Sequence, residues 1–234
     1  MAQQLEQKVK ETAKPKAYVI NLEHRTDRWE SINKYFGETF ELERFSAIEG
    51  RPGGLFCALS KIALIKKAKE LDLPYMIMME DDNYVTNKRF YDEWPKIYEW
   101  MNKNLENWDL INFNPTFLQK PKQVISTNPL LIEYGYGKTG NFIIYNRTTY
   151  DKMIALEPLY QKARDTNNFP YHQIASDHMM NMQGFKMVTH FPYFTAQLPD
   201  FSDIAQRRVD YAQVFQMSSI VLLNFLKGGH SLSP

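Results

Sequence analysis

The sequence has little cysteine and no excess of charge of either sign. Cys57 is the single cysteine among 234 residues, which excludes an internal disulfide framework and a cysteine-rich zinc site. The 28 basic and 27 acidic residues give a formal net charge of +1. A global basic field that could bind nucleic acid is therefore missing. We expect a protein of a reducing compartment that does not bind nucleic acid.

Long apolar runs are also missing. No run reaches the ~20 residues of a membrane-spanning helix, so we expect no transmembrane segment. Residues 1–16 form a polar lead-in without the apolar core of a signal peptide. We therefore expect a cytoplasmic protein, in the host cytoplasm if the source is viral. The length is most simply that of one α/β domain with a sizeable core.

The sequence is organised around residues 74–86. Tyr75 to Met79 form a short apolar run, which predicts a strand that is buried on both faces. It ends in Glu80, Asp81 and Asp82, and oxygen ligands at this density suit Mg²⁺ or Mn²⁺ together with a substrate phosphate. The carboxyl ends of strands are also where open α/β sheets bind ligands. The alternative is an acidic loop that caps the strand in water.

A second candidate site follows the first predicted strand, residues 17–22. Thr26 or Asp27 is a plausible N-cap for the helix that comes next. A strand, a polar turn and a helix N-terminus together make an anion site. Arg25 and Arg28 add forked donors that match phosphate oxygens. The alternative is two surface arginines near the start of a helix.

The remaining pattern predicts a helix over 58–71 before the acidic strand, so the order of elements favours a sheet that is at least partly parallel. Residues 115–135 are expected to be irregular, and 135–140 to be a flexible loop or lid. A long helix is predicted over 207–226. Its apolar end would pack either on the domain or on a second subunit, as in a homodimer.

Four ordered groups of segments carry a further signal. They are residues 19–28; residues 47–50, 57–60 and 79–82; residues 139–145; and residues 176–177, 197 and 201–204. Together they resemble glycosyltransferase family 25, which includes lipopolysaccharide and collagen galactosyltransferases and has bacterial and large-DNA-virus relatives. The resemblance implies a GT-A-like, Rossmann-like α/β fold. Its sheet would be mixed, mainly parallel and flanked by helices, in a single domain over 17–204, with a C-terminal helix and tail over 205–234.

The resemblance also implies a reaction. A UDP-sugar would donate a sugar, glucose or galactose, with inversion to a hydroxyl of a glycan or protein acceptor, with Mn²⁺ or Mg²⁺ as cofactor. It implies Asp82 and Glu80 as metal ligands and Asp177 as the base. The donor-binding residues that it implies are Asn21, Leu22, Arg25, Arg28, Ser60 and Asp81.

Several alternatives stay open on the sequence. Asp177 could instead cap the helix behind it, and His190 could be a metal ligand or a strand histidine with its partners inside the protein. Phe56 and Lys61 stand where the family usually has glycine and histidine. This departure motivates a second hypothesis, a catalytically inactive module that binds nucleotide-sugar or glycan. A nucleotidyltransferase is a third hypothesis, because a similar sheet and acidic motif serve that reaction.

Overall fold

A computed structural model describes residues 14–228, except for the side chains of residues 171 and 172. An eight-stranded sheet carries helices on both faces. The strands are β1 Lys16–Asn21, β2 Glu41–Ser46, β3 Tyr75–Glu80, β4 Asn83–Val85, β5 Leu110–Asn112, β6 Thr116–Thr127, β7 Leu130–Lys138, β8 Phe142–Asn146, β9 Met187–His190, β10 Thr195–Gln197, β11 Asp200–Ser202 and β12 Arg207–Val209. The α-helices are α1 Thr26–Phe36, α2 Gly53–Glu70, α3 Phe90–Lys103, α4 Tyr150–Ile154, α5 Glu157–Asp165, α6 Tyr171–Ile174, α7 Ser176–Asn181 and α8 Ala212–Lys227.

The large sheet has the strand order β2-β1-β3-β8-β5-β9-β7-β6. β2, β1 and β3 pair in parallel, as do β5 and β9, whereas β8 and β7 run antiparallel to their neighbours. Six of the eight strands therefore point in the same direction. The predicted mixed, mainly parallel α/β sheet flanked by helices is confirmed.

The core lies in two layers because successive side chains of a strand point to opposite faces. In β1, Val19 faces an aromatic layer with α1 and α3, while Ile20 faces the layer formed with α2, α4, α5 and α8. Phe113 and Phe142 stack at the centre of the aromatic layer, with ring centroids 4.1 Å apart. With both faces covered, β1 and β3 are buried along nearly their whole length, as the apolar run in the sequence predicted.

The prediction of an irregular stretch over 115–135 was wrong. This stretch forms most of a long antiparallel hairpin of β6 and β7, and residues 135–138 end β7 instead of forming a flexible loop. Three register shifts interrupt the pairing, two of them next to Pro121 and Val124. Bulges and an internal proline break the alternation by which such a strand is recognised in a sequence.

The predicted helix over 207–226 was wrong at its beginning. Residues 207–209 form β12, which pairs with β11 in a small hairpin, and α8 begins only at Ala212. Asp210 precedes Tyr211, the N-cap residue of α8, and its carboxylate accepts a hydrogen bond from the Ala212 N–H at 2.8 Å. α8 packs along β6, with Leu222 and Phe225 buried. Docking on the domain is therefore observed, and a second subunit remains a prediction.

Two further boundaries differ from the sequence predictions. α2 begins at Gly53, five residues before the predicted start. Arg25 occupies the N-cap position of α1, so neither Thr26 nor Asp27 does. The predicted lead-in (1–16) and C-terminal tail lie largely outside the described residues. Within the described part of the chain, no helix is both long and apolar enough to cross a bilayer.

Candidate functional site

The acidic cluster lies where β3 leaves the sheet beside the end of β1. Ile20 pairs with Glu80 across the two parallel strands, so Asn21 and the carboxylates meet at one edge. Buried amides hold the turn that follows: the Glu80 N–H and the Asn83 side chain both donate to the Asn141 carbonyl, at 2.7 and 2.6 Å. The three carboxylates thus have fixed and different surroundings.

Asp81 is held from two sides. Asn21 Nδ2 donates to Asp81 Oδ2 at 2.5 Å, and Arg28 Nη1 donates to Oδ1 at 3.1 Å. Burial raises the pKa of Asp81, although Arg28 and Asn21 oppose the rise. The amide oxygen of Asn21 accepts a hydrogen bond from Arg44 Nε at 2.7 Å. Both ends of the Asn21 amide therefore have partners within the protein, and Asn21 orients Asp81.

Asp82 has less of this compensation, because Arg28 Nη1 lies 3.7 Å from its Oδ2. Its Oδ2 accepts a hydrogen bond from Gln197 at 2.7 Å, whereas its buried Oδ1 has no partner among the described residues. Burial, and then repulsion by Glu80 and Asp81, raise the pKa of Asp82 to about 7. An orphaned carboxylate oxygen beside two other carboxylates is where a cation would bind with most benefit.

Glu80 has a cation of its own. Lys61 Nζ, on a residue only 5% exposed, lies 2.7 Å from Glu80 Oε1 and also donates to the Gly140 carbonyl at 3.3 Å. Burial opposes the charge of Lys61, but Glu80 more than offsets this and holds the pKa of the ammonium well above its usual range. The residue that departs from the family pattern therefore forms an ion pair inside the site.

Arg25 and Arg28 clamp the β11–β12 hairpin to the start of α1. Arg25 Nη1 lies 2.6 Å from Asp203, and both arginines contact Asp200, at 3.0 and 3.2 Å. Arg28 also donates to the Phe201 carbonyl at 2.7 Å. Asp200 and Asp203 therefore serve as the partners of these arginines.

Two cavities meet at the acidic cluster. The first cavity, of about 610 Å³, lies between the end of β1, the 47–51 loop, α2 and the β11–β12 hairpin. The second cavity, of about 740 Å³, lies between α2, the end of β7, α7 and the start of α8. Both volumes are typical of small-molecule sites. The two cavities adjoin along the six residues that line both of them, which are Gly53, Cys57, Glu80, Gln197, Ser202 and Ile204.

Asp177 lines the second cavity, in the first turn of α7. Its Oδ1 accepts from the His178 N–H at 2.8 Å and its Oδ2 from the Thr139 N–H at 3.4 Å. Thr139 has a φ of 64°, which is a strained conformation for a β-branched residue and is typical of functional sites. The N-cap of α7 is Ala175, so Asp177 does not take the capping role that the sequence left open.

The remaining predicted residues divide between the cavities and their supports. Asn21 and Arg25 do not line the first cavity. Ser60 is fully buried and accepts from the Ile48 N–H at 2.8 Å, which fixes the 47–51 loop. His190 lines neither cavity. Its ring stacks on the Phe194 ring, and burial lowers the pKa of His190 to about 4. The predicted residues that line the first cavity are Leu22, Arg28, Ser60, Glu80, Asp81 and Asp82.

The residues at the cluster fit a divalent ion that is shared with a ligand. Within residues 14–228, no group of three His, Cys, Asp or Glu side chains could hold a metal by itself. Mg²⁺-type sites, however, commonly use one or two carboxylates and complete the shell with phosphate oxygens and water. The unpartnered Oδ1 of Asp82 is the atom that such an ion would satisfy, with Glu80 next to it.

Comparison with solved structures finds distant likenesses. A crystal structure of A197 from STIV has a TM-score of 0.46 at 10% identity, over 84% of this chain and 95% of that one. A glycosyltransferase involved in the glycosylation of the major capsid of PBCV-1 has a TM-score of 0.48 at 10% identity, over 88% and 100%. The glycosyltransferase GlyE of Streptococcus pneumoniae TIGR4 has 0.44 at 9% identity, over 95% and 65%. No protein-family model and no curated protein sequence matches the chain.

Proposed function

We propose that this protein is an inverting glycosyltransferase of the family 25 type, which transfers glucose or galactose from a UDP-sugar to a hydroxyl of a glycan or protein. The observation that carries the proposal is the junction of two cavities at Glu80, with buried carboxylates on one side and Asp177 on the other. A donor in the first cavity and an acceptor in the second would bring their reacting atoms together at this junction.

The charge of the first cavity favours a metal-bound donor. Five carboxylates line it against two guanidinium groups, and the lining stays net negative after Lys61 and Arg25 offset Glu80 and Asp203, so a diphosphate entering alone would meet repulsion. We propose that Asp82 and Glu80 hold Mn²⁺ or Mg²⁺ against the diphosphate. When bound, the ion would offset the negative charge that grows on the leaving phosphate. Arg28 is the guanidinium closest to both Asp81 and Asp82 and would contribute positive charge from the side of α1.

The second cavity supplies the base that inversion requires. Attack on the sugar carbon from the face opposite the leaving diphosphate needs a group that takes the proton of the acceptor hydroxyl. Asp177 is the carboxylate of this cavity that has no cation partner among the described residues, and two backbone N–H groups aim its oxygens. We propose that one of these oxygens accepts the acceptor proton.

An inactive binding module is the second candidate, and Phe56 favours it. The Phe56 ring packs so closely on Gly50 that a Cβ built there would lie 2.2 Å from Phe56 Cζ. This ring lines the first cavity and narrows it where the family usually has glycine. A narrowed cavity could bind a nucleotide and exclude the sugar. This candidate predicts binding without turnover.

Release of UDP from UDP-glucose and UDP-galactose, with Mn²⁺ and without acceptor, separates the two candidates. A glycosyltransferase should release UDP slowly and only with the metal. UDP affinity without any release would favour the binding module. Release of pyrophosphate from a nucleoside triphosphate and a sugar phosphate would instead identify a nucleotidyltransferase. Failure to bind UDP with or without Mn²⁺ would contradict both the glycosyltransferase and the module.

Replacing Arg28 should weaken UDP binding. Arg28→Ala removes a buried guanidinium that faces Asp81 and Asp82, and we expect a loss of ~1.5–3 kcal/mol, which is usual for a charge-assisted contact. Titration calorimetry with UDP and Mn²⁺ measures it. Arg147→Ala, which removes an exposed arginine paired with Asp72, is the control and should bind as the parent does. Equal UDP affinities of the Arg28→Ala variant and the parent would contradict a role for Arg28 in the donor site.

A further inference from the structure

The second cavity differs from the first in the sign of its uncompensated charge. Lys61, Lys138 and Arg207 line it, against Glu80 and Asp177. Lys61 is already bound to Glu80 at 2.7 Å. Two cations are therefore left opposite the single carboxylate of Asp177. In the first cavity Glu80, Asp81 and Asp203 are bound by Lys61, Arg28 and Arg25, which leaves Glu49 and Asp82 against Arg51 and gives the opposite imbalance.

Neither of the two remaining cations has a carboxylate partner among the described residues. Lys138 is half-buried at the end of β7, and its Nζ lies 5.4 Å from the centroid of the Phe117 ring. An ammonium that rests on an aromatic ring keeps its charge and still has N–H donors to offer. Arg207 reaches the same cavity from β12. Burial and then Asp82 raise the pKa of the nearby Tyr211 phenol, and the charge of Arg207 only partly opposes this rise.

The other walls of this cavity suit a sugar ring. Phe117, Tyr136 and Tyr211 line it, and Phe117 is 50% exposed. Phe117 has a φ of 49°, an unfavourable conformation for an aromatic residue, which turns a large ring toward solvent. An apolar ring face with a polar edge and a few placed charges is typical of ligand sites.

We propose that the acceptor is a glycan that carries an anionic group, a phosphate or a carboxylate, bound by Lys138 and Arg207 while its hydroxyl faces Asp177. This inference rests on the proposed function for the role of the cavity, but not for the binding it predicts. Two cations beside a carboxylate base would orient the acceptor by attraction of its anion. The same arrangement would disfavour a purely cationic peptide acceptor.

Binding of matched pairs of probes tests the proposal without any turnover. The carboxylate pair is 4-nitrophenyl β-D-glucuronide and 4-nitrophenyl β-D-glucoside, and the phosphate pair is glucose 6-phosphate and glucose. Ligand-observed NMR measures their affinities on the full chain, with and without UDP and Mg²⁺. We expect at least one anionic probe to bind ~10-fold or more tightly than its neutral partner, as charge-assisted contacts imply.

Substitutions then test whether Lys138 and Arg207 cause the preference for anionic probes. Lys138→Met and Arg207→Met should each remove most of the preference and leave the affinity for the neutral probe and for UDP unchanged. Lys138→Arg should retain it. Lys122→Met and Arg208→Met are the controls, because these cations lie in the same two hairpins but do not line the cavity.

The outcomes separate this inference from the proposed function. A preference in one pair alone identifies the anion and supports the proposal. Equal affinities within both pairs would overturn the proposal. So would an equal loss of the anionic preference in the control variants, because that loss would show only a general positive electrostatic field. A chain that prefers anionic probes but never binds UDP would refute the proposed function and leave this inference standing.

Discussion

Asp177→Asn should slow sugar transfer by a factor of ~10²–10⁴, the usual contribution of a positioned general base. The amide keeps the size of the side chain, and its oxygen can still accept the 2.8 Å hydrogen bond from the His178 N–H. It cannot take a proton from the acceptor. UDP affinity and the melting temperature should stay nearly unchanged, because Asp177 lines the second cavity and not the first.

Ser176→Ala is the matched control for this prediction. Ser176 lines the same cavity and lies in the same turn of α7, but it has no carboxylate. The Ser176→Ala variant should transfer sugar at close to the parent rate. Initial rates at saturating donor, together with melting curves of all variants, distinguish lost chemistry from lost structure. A parent-like rate for Asp177→Asn would remove Asp177 from the mechanism.

The strand that ends in carboxylates could be predicted because its signal is local. The apolar run from Tyr75 to Met79 indicates a strand that is buried on both faces. The point where the chain leaves the core is indicated by Glu80, Asp81 and Asp82. The first strand, predicted over 17–22, followed from the same kind of pattern, whereas no strand was predicted where β2 lies. The hairpin of β6 and β7 could not be predicted, because its bulges and Pro121 remove the alternation on which such predictions depend.

The partners of the site residues could not be predicted, because they are distant along the chain. Arg25 donates a hydrogen bond to Asp203, which lies 178 residues later in the sequence, and Arg28 donates one to Asp200, which lies 172 residues later. The sequence predicted that Arg25 and Arg28 bind phosphate, which stays a prediction, and only the fold reveals that carboxylates of the β11–β12 hairpin hold them. The pairing of Lys61 with Glu80 is similar: the sequence marked Lys61 only as a departure from a family pattern.

Asp82→Asn should stabilise the metal-free protein at pH 8 while it abolishes metal-dependent UDP binding. In the folded chain the pKa of Asp82 is about 7, above the ~3.9 of an unfolded aspartate, so the native state holds this proton more tightly. The stability that this proton contributes is present below pH ~4 and is lost as the pH rises through ~7. We expect the variant to melt roughly 5 °C above the parent at pH 8 in EDTA, with a smaller difference at pH 5.

Thermal melting with added ligands checks the second half of this prediction. UDP with Mn²⁺ should raise the melting temperature of the parent by mass action and should scarcely change that of Asp82→Asn, which lacks the anionic Oδ1. Asp92→Asn, a substitution at an exposed aspartate of α3, controls for the loss of one negative charge. A variant that keeps its Mn²⁺-dependent UDP shift would remove Asp82 from the metal site. A variant that is less stable than the parent at pH 8 would show that the Asp82 carboxylate is compensated in the folded protein. The expected melting temperature of the metal-free variant rises, while its melting shift with UDP and Mn²⁺ falls. General damage to the fold would lower both and cannot produce this result.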